Sequence, residues 1–225
     1  MSTLLVHSAD VLVTMDADRK EIPGGVFYAR DGVIVTVGPT HDLPRTAETV
    51  VDARGCVVTP GLVNTHHHLF QSLTRAVPAA QDAPLFGWLR ALYPIWARMG
   101  PEDIRVSALI GLAELALSGC STAADHLYLF PNGARLDDEI DAAAQIGLRL
   151  HAARGAMSIG ESRGGLPPDS LVEDEAAILE DCLRVIDAFH DPEPGAMVRI
   201  AVAPCSPFSV SAGQLRTRKF APIVS

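Results

Sequence analysis

Basic residues are scarce: 18 Lys and Arg stand against 27 Asp and Glu, giving a net charge of −9 and a pI near 5.3. With no basic stripe to neutralise phosphates, a nucleic-acid partner is excluded. The one basic cluster, Arg216, Arg218 and Lys219, falls at the extreme C-terminus and reads as a solvated tail. No apolar run approaches the ~18 residues of a membrane span, so no membrane partner is expected. Met1–Asp10 lacks a positive stretch followed by a long apolar one, so no secretory leader is expected. Cys56, Cys120, Cys182 and Cys205 are widely spaced with no CxxC pair, which predicts reduced thiols and a cytoplasmic location. Low-complexity segments and short internal repeats are absent. What is present is ordinary globular material, 48% hydrophobic and 20% charged, enough for a sizeable core.

The chain changes character near Pro60. Residues 1–59 read as a small β domain. Leu4–His7, Val11–Thr14, Gly25–Ala29 and Val33–Val37 are β-rich runs, with a further pair at Val50–Val51 and Val57–Val58. Arg30-Asp31-Gly32 is a hairpin signal between two of them. Such a unit is too short to bury both faces and is expected to pack on something else. Residues 60–215 alternate short apolar runs with long helical ones. Candidate strands are Leu62–Thr65, Ser121–Asp125, Leu148–Ala152 and Arg199–Ala203, with helices over about 85–98, 102–118, 134–146 and 170–190. Pro101 in the first turn, Glu102 and Asp103 beside it and Gly119 past the end mark one helix clearly. Repeated βα units predict an α/β fold on a parallel sheet, either a barrel or a doubly wound layer.

The strongest local feature is Pro60-Gly61-Leu62-Val63-Asn64-Thr65-His66-His67-His68. Side chains alternate along a strand, so His66 and His68 point to one side while His67 faces away. At the C-terminal end of a buried parallel strand, two such imidazoles can grip one metal ion. Imidazole suits zinc, iron and nickel alike, so spacing does not choose the metal. The bland alternatives are a surface histidine tract or a satisfied core residue. His7, His41 and His190 have no supporting context.

That nine-residue run resembles the first-strand signature of the amidohydrolase superfamily. Val51-Asp52-Ala53-Arg54-Gly55 looks like the end of the small β domain that precedes it there, and Gly119–His126 resembles the second barrel strand. Glu161–Asp169 and Ala203–Pro207 are similar to the branch of 8-oxoguanine deaminase and hydroxydechloroatrazine ethylaminohydrolase. The resemblance implies a (β/α)8 TIM-type barrel after a β-sandwich-like domain. It implies one divalent metal, zinc by preference with Fe2+ as the alternative, held in part by His66 and His68. The metal would activate water for attack on a ring carbon bearing an amino group, so the expected substrate is a small purine-like or triazine-like heterocycle. The related alternatives are chlorohydrolase or imidazolone chemistry, or a non-catalytic fragment.

Candidate substrate-binding residues are Gln71 just past the metal pair, Trp88 on a helix, and His126 and Arg154 after the second and third strands. Solvent exposure for Gln71, core packing for Trp88 and structural hydrogen bonds for the last two are the competing readings. Asp125 is expected to orient neighbours rather than bind metal. Neither lysine, Lys20 or Lys219, falls in Arg199–Ala203, which disfavours a lysine-bridged binuclear centre. The His-x-Glu and Pro-Cys-x-x-Cys of cytidine-deaminase sites are absent. Eight βα units need about 250 residues, so the barrel is expected to be incomplete, with the acid–base Glu and the Asp ligand of later strands missing. Residues 216–225 depart from the family pattern, as a truncation or frame shift would. Negligible activity alone and self-association through open strand edges are the consequent expectations.

Overall fold

The computed structural model describes residues 1–39, 44 and 46–216. His41 and residues 217–225 of the expected tail lie outside the described residues. The chain divides into two compact units, Met1–Gly61 and Leu62–Ser225.

The first unit is all β: β1 Thr3–His7, β2 Val11–Val13, β3 Glu21–Pro23, β4 Gly25–Arg30, β5 Val33–Pro39, β6 Thr49–Asp52 and β7 Val57–Val58. They form a four-stranded sheet in the order β5-β4-β1-β6 and a three-stranded one in the order β3-β2-β7. The β4–β5 hairpin turns on Asp31 and Gly32, both at positive φ (48° and 81°), as a two-residue turn requires. Gly25 lets the sheets approach, because a Cβ there would lie 2.4 Å from that of Leu12. β3 went unread: a short segment ending in proline lacks a strand's signature. The unit leaves Val33, Ile34 and Val35 on β5 exposed, so it does not bury its apolar faces by itself.

The second unit runs β8 Leu62–Asn64, a 3-10 turn Leu69–Thr74, α1 Leu85–Trp96, α2 Pro101–Leu117, β9 Cys120–Leu127, α3 Leu136–Ile146, β10 Arg149–Ala156, α4 Glu175–Phe189, β11 Val198–Pro204 and α5 Ala212–Arg216. β8 to β11 are parallel neighbours in sequence order. Right-handed crossovers between strands added always on the same side put every helix on one face. A doubly wound sheet would reverse its order partway, and this one does not.

Helix ends are fixed locally. Asp103 accepts the Gly100 N–H at 2.9 Å, Asp138 that of Arg135 at 2.8 Å, and Asp174 caps α4 through the Ala176 N–H at 2.9 Å. Gly147 closes α3 at φ 80°, where a side chain would be strained. The core fills the space between strands and helices with Leu69, Phe70, Trp96, Leu112, Leu150 and their neighbours.

Two expectations need correction. β9 and β10 run to Leu127 and Ala156, beyond the expected ends at Asp125 and Ala152. β8 is not a buried strand: it pairs only with β9 among the described residues, and Leu62 and Val63 are about 60% exposed at 60% and 62%.

Candidate metal and ring-binding site

The β8 ladder stops at Asn64, so the three histidines lie on the segment just past it. Asn64 Oδ1 accepts the His66 N–H at 3.0 Å, which turns the chain. The His66 and His68 rings meet edge to face with centroids 5.3 Å apart. His67 lies near Gly111 of α2, whose missing side chain makes room for Leu69 and Ser72. All three histidines border one cavity, so His67 does not face wholly away from the pair.

His68 is oriented by a backbone contact. Its Nδ1–H donates to the His126 carbonyl at 2.8 Å, which leaves Nε2 with the lone pair. Burial lowers the pKa of His68, so the ring is neutral near pH 7, the form that binds metal. These residues therefore fit a divalent cation. Among the described residues, no set of three or more His, Cys, Asp or Glu side chains is placed to hold one ion.

The two rings open into a cavity of about 780 Å³, within the range of small-molecule pockets. Gln71, Trp88 and His126 also line it. Gln71 Nε2 donates to the Tyr128 hydroxyl at 3.1 Å, and its Oε1 remains to accept from a ligand. Trp88 stands edge-on to Trp96 at 5.3 Å, while Phe86 and Phe208 pair across the lining at 5.4 Å. His126 reaches across β10 and donates from Nε2 to the Ala203 carbonyl at 3.0 Å on β11. Gly155 makes this crossing possible: a Cβ there would lie 2.6 Å from His126 Nε2. Burial lowers the pKa of His126 too, so its Nδ1 is an acceptor at neutral pH.

Arg154 is not part of the site. It is 1% exposed on the helix side of β10. Its guanidinium bonds Glu173 at 2.7 and 2.9 Å, Asp181 at 2.9 Å and the Gly155 carbonyl at 2.7 Å, over the Phe130 ring at 3.8 Å. Four of its five N–H donors are taken up within the fold, and the side chain does not line the cavity, so the structural reading of Arg154 replaces the substrate one. Conversely, Tyr128 and His151 line the cavity and went unread, although stepping by two from His126 and Ala153 reaches both.

Asp125 reaches the same histidine-bearing turn. Its Oδ1 accepts the Leu69 N–H at 2.5 Å, and its side chain is fully buried, as is that of Glu139 on α3. Burial pushes both carboxyls well above their usual range, Asp125 to about 7.

A singly wound βα sheet carrying His-x-His past its first strand, aimed into an aromatic cavity, defines a scaffold suited to a metal and a planar ligand. The chain belongs to the amidohydrolase family, whose model matches residues 57–218. It is 45% identical over 204 residues to 8-oxoguanine deaminase of Pseudomonas aeruginosa, covering 89% of this chain and 45% of that protein. It is 38% identical over 222 residues to hydroxydechloroatrazine ethylaminohydrolase of a Pseudomonas species, covering 92% and 46%. Among solved structures it resembles atrazine chlorohydrolase of Arthrobacter aurescens crystallised with zinc, at TM-score 0.85 and 33% identity, covering 92% of this chain and 48% of that one. The chain thus spans less than half the length of these relatives.

Proposed function

We propose that this chain is the N-terminal part of a metal-dependent aminohydrolase acting on a purine-like or triazine-like ring, with its four βα units forming half of a (β/α)8 barrel. The observation that carries this is the pair His66 and His68, with His68 Nε2 free, facing a cavity of ring-binding size. The two relatives, a deaminase and an ethylaminohydrolase, support the reaction class.

His66 and His68 would hold one divalent ion, zinc by preference, and that ion supplies a water activated for attack at neutral pH. The chain's other residues bind and orient. Trp88 and the Phe86–Phe208 pair offer aromatic faces to a planar heterocycle. Gln71 Oε1 accepts a ring N–H, its amide held in place by Tyr128. His126 Nδ1 provides a second acceptor on the β9 side, steadied by its bond to Ala203.

A catalytic zinc ordinarily takes three protein ligands, and the described residues bring two. We therefore expect the isolated chain to bind metal weakly and to turn over substrate negligibly. Metal analysis and a substrate panel test this together. Expected are cobalt or zinc uptake that the H66A/H68A pair abolishes, and no measurable ammonia from 8-oxoguanine or amine from hydroxytriazines. Uptake unaffected by that double substitution would remove the metal assignment, and turnover by the 225-residue chain would refute the expected inactivity. Hydrolytic dechlorination is a second reading, favoured by the likeness to atrazine chlorohydrolase. Chloride release from a chlorotriazine, measured beside ammonia and amine release in the same panel, would favour it over deamination.

A further inference from the structure

The histidine turn has lost the support that a strand normally gives. β8 hydrogen-bonds to β9 only over Leu62–Asn64, so His66, His67 and His68 have no ladder to fix them. Four contacts from residues 125 and 126 of β9 take its place. The His126 N–H donates to the His67 carbonyl at 3.0 Å, and the His126 carbonyl accepts from His68 Nδ1 at 2.8 Å. Asp125 Oδ1 accepts the Leu69 N–H at 2.5 Å and lies 3.9 Å from His67 Nδ1. The first is a backbone bond that exists wherever the chains run side by side, and the second depends on the His68 ring. The two to Asp125 depend on its side chain.

That side chain is unusual company for a carboxyl. Asp125 and Glu139 face each other in the layer between β9 and α3, both fully buried, with no Lys or Arg bonded to either among the described residues. Asp125 Oδ2 and both Glu139 oxygens lack a hydrogen-bond partner of ordinary geometry. Two carboxylates cannot both stay ionised so close together in a dry space, so the pair retains a proton. A carboxyl kept there despite the cost of burial has work that an apolar side chain could not do.

We propose that Asp125, backed by Glu139, is a positioning residue: it pins Leu69, fixes the turn before it, and so aims His66 and His68 at a common ion. The inference rests on the metal reading above, and one of its tests is independent of metal. Glu139 acts at one remove, by holding the Asp125 carboxyl against the Leu69 N–H. Outer contacts of this kind typically contribute about ten- to a hundredfold to metal affinity.

The test uses the full chain and five variants: D125L, D125N, E139L, E139Q and the H66A/H68A pair. Cobalt(II) titration, followed by its visible absorption, reports affinity and ligand geometry. Long-range 15N–1H spectra of the metal-free chain report which nitrogen of His68 carries the proton. Expected is a fall in cobalt affinity of about ten- to a hundredfold for D125L, with a smaller fall in the same direction for E139L. D125N keeps the acceptor and E139Q keeps a polar partner, so both should bind within about threefold of wild type. In D125L the His68 ring should change from a single Nδ1-protonated form to a mixture. Unchanged cobalt affinity and an unchanged His68 tautomer in folded D125L or E139L would overturn the proposal. Should D125L not fold, E139L decides, since it leaves Asp125 in place and fills the Glu139 site with an apolar group of similar size. Cobalt binding that survives H66A/H68A would defeat the metal reading alone, because the tautomer measurement would still judge the role of Asp125.

Discussion

Gly155 is where a single methyl group would do most damage, and its effect can be worked from distances. In G155A the new Cβ would stand 2.5 Å from the Leu127 carbonyl oxygen, 2.6 Å from His126 Nε2 and 2.6 Å from Tyr128 Cα. Two of these neighbours are backbone atoms of the β9 end, and they cannot swing aside as a flexible side chain could. The imidazole can move, but only by giving up its 3.0 Å bond to Ala203. Overpacking of this kind costs about 1–3 kcal/mol, and the lost hydrogen bond adds about 1 kcal/mol. For a chain of this size each kcal/mol shifts the melting temperature by about 2–4 °C, so a fall of roughly 4–16 °C is expected. G87A is the control. Gly87 lies within α1, and its added Cβ would meet atoms at 3.6 to 3.8 Å, ordinary contact distances. There alanine should raise stability by about 0.5–1 kcal/mol through helix propensity. Calorimetry on the two variants separates the cases, and histidine ring spectra report whether His126 has moved. If G155A melts with wild type and leaves the His126 signals in place, the crossing of His126 over β10 is not the tight passage described here.

R154M should lower stability by about 3–5 kcal/mol, because Glu173 loses the cation that neutralises it and Asp181 keeps only Arg184. Cobalt uptake should be unchanged; a stable R154M chain, or one that has lost metal, would reopen the substrate role of Arg154. The Asp125–Glu139 pair binds more protons folded than unfolded above about pH 4, so its contribution to stability declines as pH rises through about 7. E139Q removes one titrating carboxyl, and its unfolding free energy between pH 5 and 8 should fall less steeply than that of wild type, by at most about 1.4 kcal/mol per pH unit. Histidines with lowered pKa oppose this trend equally in both chains, so the difference between the two slopes is what counts; equal slopes would remove the shared proton. Trp88 lines the cavity whereas Trp96 is fully buried. Quenching of fluorescence by an added purine or triazine should therefore vanish in W88F and persist in W96F, and the opposite result would place the ring elsewhere.

Much of the site was legible because side chains alternate along a strand, and the errors arose where the strand itself was cut short. His66 and His68 came out on one side because their parity was read from the run Leu62–Asn64 directly before them. Arg154 falls among the candidate substrate residues because the sequence predicts the third barrel strand to end at Ala152, which leaves a loop residue with no parity. The segment Arg154-Gly155-Ala156 has no β-branched residue, so nothing local prolongs the strand. It continues because β11 pairs with it, Gly155 opposite Ala203 and Ala156 opposite Pro204. That partner lies far off in sequence, and no local pattern can report it.

The strand ends let alternation sort most of the groups at the cavity. On β9, Ala124 and His126 line the cavity while Ala123 and Leu127 are buried; Asp125 borders the cavity, but its side chain is buried with theirs. On β10, His151 and Ala153 face the cavity while Leu150, Ala152 and Arg154 are buried beneath the helices. Asp125 and Arg154 are therefore charged residues placed on the apolar side, and each must be compensated there. Arg154 is compensated by two carboxylates and an aromatic face. Asp125 has no cationic partner of that kind: it faces Glu139, a group of its own sign, the N–H of Leu69 at 2.5 Å and, further off, the His67 ring at 3.9 Å. The difference separates their roles: a fully paired arginine strengthens the layer between β10 and α4, whereas a carboxyl with a single strong donor is tied to what that donor holds, the turn carrying the two metal-facing histidines.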